Sequence, residues 1–271
     1  MKPIGIVGNL SRDRLDGSKL RVGGAPYHAG RGLRALGRRG VIVTKCADAD
    51  RRELLTPLVC LGLPVLWHAA TATAAFAIEY HGDARRMVIE SLGEPWTPEE
   101  ARGWAANALT GVDWVHVAPL ARSDFPPETL AELARGRRLS LDGQGLVRPG
   151  RTGPLELDAE YDREMLRNVS ILKLAEEEAR IVLEDFDERA LRRLEVPEIV
   201  VTLASRGLIL FADGVAEHVP ASPVAAVADP TGAGDAFAAA YLAARAAGEA
   251  PTGAARRATA LVADLLSGRA R

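Results

Sequence analysis

The chain has 271 residues, 48% of them hydrophobic and 26% charged, with a formal net charge of −2. That length suffices for one large domain or two small ones with a substantial core. So small a charge gives no reason to expect nucleic acid or an anionic membrane as main partner, and no apolar run reaches the roughly 18–20 residues of a membrane span. The opening MKPIGIVGNL is too short and too glycine-broken for a signal peptide, and two isolated cysteines, Cys46 and Cys60, are expected to stay reduced thiols. A cytoplasmic location is the matching expectation.

In chain order, residues 4–9 form a short apolar run ending in Gly-Asn and read as a buried strand. Residues 25–37 have helical spacing and stop at Gly37, and strands are expected at 40–46 and 62–68. Residues 73–91 break the rhythm: two alternating stretches flank His81-Gly82-Asp83-Ala84, the pattern of a β-hairpin with one exposed face. Then follow a helix over 98–109, a strand over 113–120, a helix over 127–135 and strands over 137–145 and 169–174. The last of these leads into the acidic helix AEEEARIVLEDF. Residues 197–207 read as a strand, and LILFADGVAEHVP as a hairpin turning at Asp213-Gly214. Two alanine-rich helices, about 232–247 and 251–267, close the chain. Strands alternating with helices predict a mostly parallel sheet covered on both faces.

The stretch VADPTGAGDAF, residues 227–237, runs from a strand-like segment through two glycines into a long helix. Gly232 and Gly234 permit a sharp turn and close approach of a ligand. The first amides of the helix lack intrahelical partners and, with the positive end of its dipole, make a ready anion site. Asp235 falls in the first turn beside it. A carboxylate repels a bound phosphate, so a functional role there requires a reason, and proton removal from an attacking alcohol supplies one. Spacing alone leaves this reading level with a structural turn and helix start. A P-loop is excluded by the missing GxxxxGK[ST].

DPTGAGDAF, residues 229–237, resembles the C-terminal signature of the ribokinase/PfkB carbohydrate kinases, D-T-x-G-A-G-D-x-F. Further resemblances follow in order. GNLSRD (8–13) is similar to the strand end carrying the sugar-contacting Asp, and GGAPYHAGRGLRALG (23–37) to the glycine pair and helix. ILKLAEEEA (171–179) is similar to the K-x-N-x-x-E region and TLASRG (202–207) to the nucleotide segment T-x-G-S-x-G.

The resemblance spans essentially the whole chain. It implies one ribokinase-like α/β domain over 1–271, a three-layer α/β/α sandwich with a mostly parallel central sheet. A small β lid would be built mainly by about 73–91 with a short piece of 14–22. It further implies an ATP- and Mg²⁺-dependent kinase that phosphorylates a hydroxyl of a sugar or polyol. Asp235 would be the base, and the amides of Gly232, Ala233 and Gly234 would hold the phosphoryl group. Asp13, Gly23, Gly24 and His28 would meet the acceptor. Thr202, Ser205, Arg206 and Gly207, together with Gly234, would line the nucleotide site. Glu178 would organise Mg²⁺, and Asp229 and Thr231 fall where members bind a monovalent cation such as K⁺.

The departures are local. Ala175 stands for the family Asn, Ala204 for a Gly and His28 for an Asn. A solvated acidic helix start accounts equally for Glu178, and a core histidine satisfied by backbone remains open for His28. LDGQG (141–145) with Arg148 resembles a D-x-Q-G-x-x-R segment of inositol-kinase-like members, a weak lean toward that acceptor. A nucleoside kinase of the same fold and a non-catalytic sugar-binding or regulatory protein are the alternatives. The hairpin face around Ala75, Ala77 and Tyr80 could serve as a homodimer contact or close over substrate.

Overall fold

The computed structural model describes residues 3–16, 20–81, 84–183, 187–224 and 231–269. Its strands, in chain order, are β1 (Ile4–Asn9), β2 (Ser11–Leu15), β3 (Arg21–Gly23), β4 (Gly40–Ala47), β5 (Val65–Ala70), β6 (Ala74–His81) and β7 (Ala84–Ser91). They continue with β8 (Trp114–Val117), β9 (Arg138–Asp142), β10 (Gly153–Pro154), β11 (Val169–Ala175), β12 (Glu198–Thr202), β13 (Leu208–Ala212) and β14 (Val215–Val219). Nine make one sheet in the order β14-β13-β12-β11-β9-β8-β1-β4-β5, and five make a second, β10-β7-β6-β2-β3.

In the large sheet every pairing from β12 across to β5 is parallel. The β13–β14 hairpin adds an antiparallel edge. Its turn carries Asp213 at φ 52° and Gly214 at φ 79°, the pair of positive values that a two-residue turn matching strand twist requires. The parallel strands are near-continuous apolar runs because helices cover both faces. One face packs on the helices Ala25–Ala35, Ala233–Ala246 and Pro251–Leu266. The other packs on the segments around 98–108, 127–134, 176–183 and 188–192.

The alanines after Asp235 have a packing reason. Residues 236–244 are all buried, and a Cβ on Gly32 would lie 3.0 Å from Ala236 Cα, so the 25–35 and 233–246 helices touch almost backbone to backbone. Small side chains on both let them approach, which fixes the start of the 233–246 helix against the 25–35 helix.

The second sheet takes in more chain than the 73–91 hairpin. β2 lies parallel to β6 and is flanked by β3, while β10 pairs with β7. Its inner face buries Ala74, Phe76, Ile78, Met87 and Ile89 with Leu120 from the large sheet's side. Polar contacts fasten the crossing between the sheets. Trp96 Nε1 donates to Asn9 Oδ1 at 2.8 Å, and buried Lys45 reaches Glu100 at 2.9 Å and Glu94 at 3.3 Å. A helix over Arg51–Val59, which sequence pattern leaves unread, joins β4 to β5. Among the described residues no helix is long and apolar enough to cross a membrane.

Candidate active site

A cleft of about 320 Å³ opens where the large sheet's parallel strands end, between that sheet and the smaller one. Ligands of open α/β sheets bind at this end, because the strands deliver side chains there and the following helices start there.

One wall is the start of the 233–246 helix. Gly232 caps it in the left-handed conformation, φ 76° and ψ 7°, and offers no side chain of its own to the helix amides. Thr231, Gly232, Ala233, Gly234 and Asp235 all line the cleft. A Cβ on Gly232 would sit 2.2 Å from His28 Nδ1, so glycine is required by conformation and by space together. His28 therefore packs on the anion loop as well as lining the cleft, a contact that chain order conceals.

The floor is charged and buried. Asp142 ends β9 and Lys173 lies in β11, in register with each other, with Nζ 3.3 Å from Oδ2. Asp142 is 1% exposed, Lys173 7% and Glu178 5%. Glu178 Oε2 accepts the Ala175 N–H at 2.7 Å. Burial pushes the Glu178 carboxyl up, against the pull of Lys173. Burial alone would also raise Asp142, but Lys173 and His116 outweigh it and hold that carboxyl below its ordinary range. Desolvation opposes the charge on Lys173, yet Asp142, Glu178 and Asp235 around it keep the ammonium firmly protonated.

Asp235 is pushed up to about 7, first by burial and then by the negative charge of Asp142, with Lys173 and Arg148 pulling the other way. It keeps partial exposure through the cleft, and protein that disfavours the ionised form surrounds it elsewhere. A carboxylate titrating near neutral pH is suited to accept and release a proton under physiological conditions.

The opposite wall belongs to the smaller sheet. Asp13 on β2 accepts from Ser11 Oγ at 2.7 Å, which fixes its carboxylate. Gly23 faces Ser11 across β2–β3, and a Cβ there would lie 2.0 Å from Asp13 Oδ2. Gly23 thus makes room for the Asp13 side chain, while Gly24, at φ 90°, turns the chain into the 25–35 helix and lines the cleft. Phe76, Ile78, Met87 and Leu120 supply an apolar surface.

The structure gathers Asp13, Gly24, His28, Glu178, Thr231, Gly232, Ala233, Gly234 and Asp235 from the sequence reading into one cleft. It sets the 202–207 segment one strand further out. Thr202 pairs with Ala175, Ser205 is exposed, and Arg206 is ion-paired to Glu176. Gly207, at φ 95°, backs onto the Val219 carbonyl. None of these four side chains lines the cleft. Asp229 lies outside the described residues. Asp142, Gln144, Arg148, Lys173 and Ser11 are site residues that motif reading does not assign. The LDGQG…R and ILKL stretches carry the signal for four of them.

The model of the pfkB family carbohydrate kinases matches residues 23–265. The chain belongs to that family. Inositol 3-kinase of Zea mays is 31% identical over 196 residues, a stretch covering 69% of this chain but 46% of the maize protein. Fructokinase of Klebsiella pneumoniae is 29% identical over 261 residues, 89% of this chain and 83% of its own. Among solved structures, a pyrophosphate-dependent kinase of the ribokinase family, complexed with a pyrophosphate analog and myo-inositol, superposes with a TM-score of 0.81. The match is at 24% identity over 99% of this chain and 95% of that one. Arabidopsis thaliana ribokinase complexed with ribose and ATP gives 0.72 at 18% identity, over 98% and 93%. These likenesses confirm the expected ribokinase-like α/β fold.

Proposed function

We propose that the protein transfers the terminal phosphoryl group of ATP to a hydroxyl of a small polyol, with a cyclic polyol of the inositol type as the first candidate. The observation that carries this is the pairing of a glycine-capped helix start at Gly232–Gly234 with a carboxylate, Asp235, raised to about 7 in the same cleft.

Asp13 and Ser11 hold acceptor hydroxyls, and Phe76, Ile78 and Met87 take the C–H face of the ring. The hydroxyl oxygen attacks the terminal phosphorus while its proton passes to Asp235. The bond from that phosphorus to the bridging oxygen breaks, and ADP leaves with the bridging electrons. The 232–234 amides and the Lys173 ammonium stabilise the charge on the transferring group, and little covalent work is left to the protein.

Five carboxylates and two cationic side chains line the cleft, an excess of negative charge that fits a divalent cation arriving with the donor. Glu177 and Glu178 would hold Mg²⁺ through its water shell, and the ion would offset the charge of the donor phosphates. Thr231, which lines the cleft beside the anion loop, would contribute to a monovalent-cation site.

A second donor, inorganic pyrophosphate, is favoured by one observation: Thr202, Ser205, Arg206 and Gly207 do not line the cleft. A panel of inositols, hexoses and ribonucleosides, run with ATP and separately with pyrophosphate, tests the reading. Cytidine kinase of Thermococcus kodakarensis, 26% identical over 261 residues, makes the nucleosides a fair rival set. Phosphorylated inositol with release of ADP is the expected result. Release of orthophosphate from pyrophosphate alone would replace the donor, and turnover confined to nucleosides would replace the acceptor.

His28→Ala is expected to raise the acceptor KM far more than the donor KM, because the ring lines the cleft at the position the family resemblance gives to the acceptor, while its backbone position is set by the 25–35 helix. Unchanged KM for both would make it a packing residue only.

A further inference from the structure

We propose that Asp142 and Lys173 act as an opposed pair on Asp235, the Asp142 carboxylate favouring the protonated base and the Lys173 ammonium favouring the ionised one. This rests on the reading of Asp235 as the base, and it assigns work to two residues outside the family's glycine–aspartate signature.

The geometry that carries it is local. The two side chains meet at 3.3 Å at the end of neighbouring parallel strands. Lys173 Nζ lies 3.2 Å from where a Cβ on Gly234 would stand, so the ammonium sits directly against the first turn that bears Asp235. Both are almost wholly buried, and between groups withdrawn from water charges act far more strongly than at a surface. Around Asp235 the remaining charged or titratable groups facing the cleft are Glu177 and Glu178 from the 176–183 helix, Arg148 beyond β9, His28 from the 25–35 helix and Asp13 from β2.

Asp142 and Glu178 push the Asp235 carboxyl up, and Lys173 and Arg148 pull it down. Asp142 is the largest of these charge effects, and Lys173 stands next. A like charge or an opposite charge within about 4–6 Å shifts a carboxyl by about 1–3 pH units. The pair therefore leaves the base near neutrality. Asp142 without Lys173 would lock the proton on, and Lys173 without Asp142 would leave a carboxylate too weakly basic to take it.

The test reads Asp235 directly, without needing turnover. Aspartate labelled at its carboxyl carbon is incorporated, the Asp235 resonance is identified by its loss in Asp235→Asn, and its titration is followed by NMR. Asp142→Asn, close in shape, should move the midpoint down by about 1 pH unit or more, and Lys173→Met should move it up by a similar amount. Removing one partner of a buried pair is destabilising. Lys173→Gln, which keeps a polar head, is therefore titrated beside Lys173→Met and should also move the midpoint up. Opposite shifts support the pair. Shifts in the same direction, or none, overturn it. Failure of the phosphoryl-transfer reading would appear separately, as absence of turnover with a normally titrating Asp235.

Discussion

Asp235→Asn should cut turnover by about 10²–10⁴-fold, the range for losing a general base, while donor affinity stays close to that of the parent protein. The amide side chain has the size of the carboxylate and leaves the 233–246 helix start intact, so the anion loop keeps its donors. What disappears is the acceptor of the hydroxyl proton.

The pH dependence follows from the same residue. A base raised to about 7 is largely protonated below that pH and ionised above it. In the parent protein kcat/KM should therefore fall about tenfold per pH unit below roughly pH 7 and level off above it. The residual activity of Asp235→Asn should lack that limb. A parent profile that stays flat through neutrality, or a variant that retains the limb, would assign the proton to another group.

Gly232→Ala is the second large effect expected. The residue sits at φ 76°, where a Cβ costs about 1–2 kcal/mol, and that atom would lie 2.2 Å from His28 Nδ1 and 2.6 Å from His28 Cβ. His28 is held by the 25–35 helix, so the loop must give way. Misplacement by about 1 Å at a site that works by positioning can cost roughly 10²-fold in rate. Turnover is expected to fall by at least that factor, with a modest drop in thermal midpoint. Near-native turnover in a folded Gly232→Ala protein would mean that the loop does not hold the transferring group.

The helix start at 232–235 was legible because its chemistry is contiguous: glycines, unpaired amides and a carboxylate lie within four residues. The parallel sheet was legible for a similar reason, since strands buried on both faces read as apolar runs. The floor of the site was not. Asp142 and Lys173 stand 31 residues apart and meet only because β9 and β11 pair in register. The contact of His28 with Gly232 is likewise made by the crossing of two helices through Gly32 and Ala236, and no local pattern announces it.

Two elements escaped for other reasons. The Arg51–Val59 helix is short and carries Pro57, which hides its period. β2 and β3 are brief and polar, so the sequence assigns the smaller sheet little beyond the 73–91 hairpin and a short piece of 14–22, although β2 carries Asp13. The motif at 202–207 reads in sequence as a nucleotide segment, yet the fold makes it a strand end with a tight turn beside the cleft and not along it.

The most direct measurement is a crystal structure of Asp235→Asn with the polyol acceptor and a non-transferable ATP analogue both bound. The account predicts the analogue's terminal phosphoryl oxygens within hydrogen-bond distance of the 232–234 amides, and the acceptor's reacting hydroxyl between that phosphorus and residue 235. A terminal phosphoryl group bound away from this helix start, or an acceptor hydroxyl out of reach of residue 235, would contradict it.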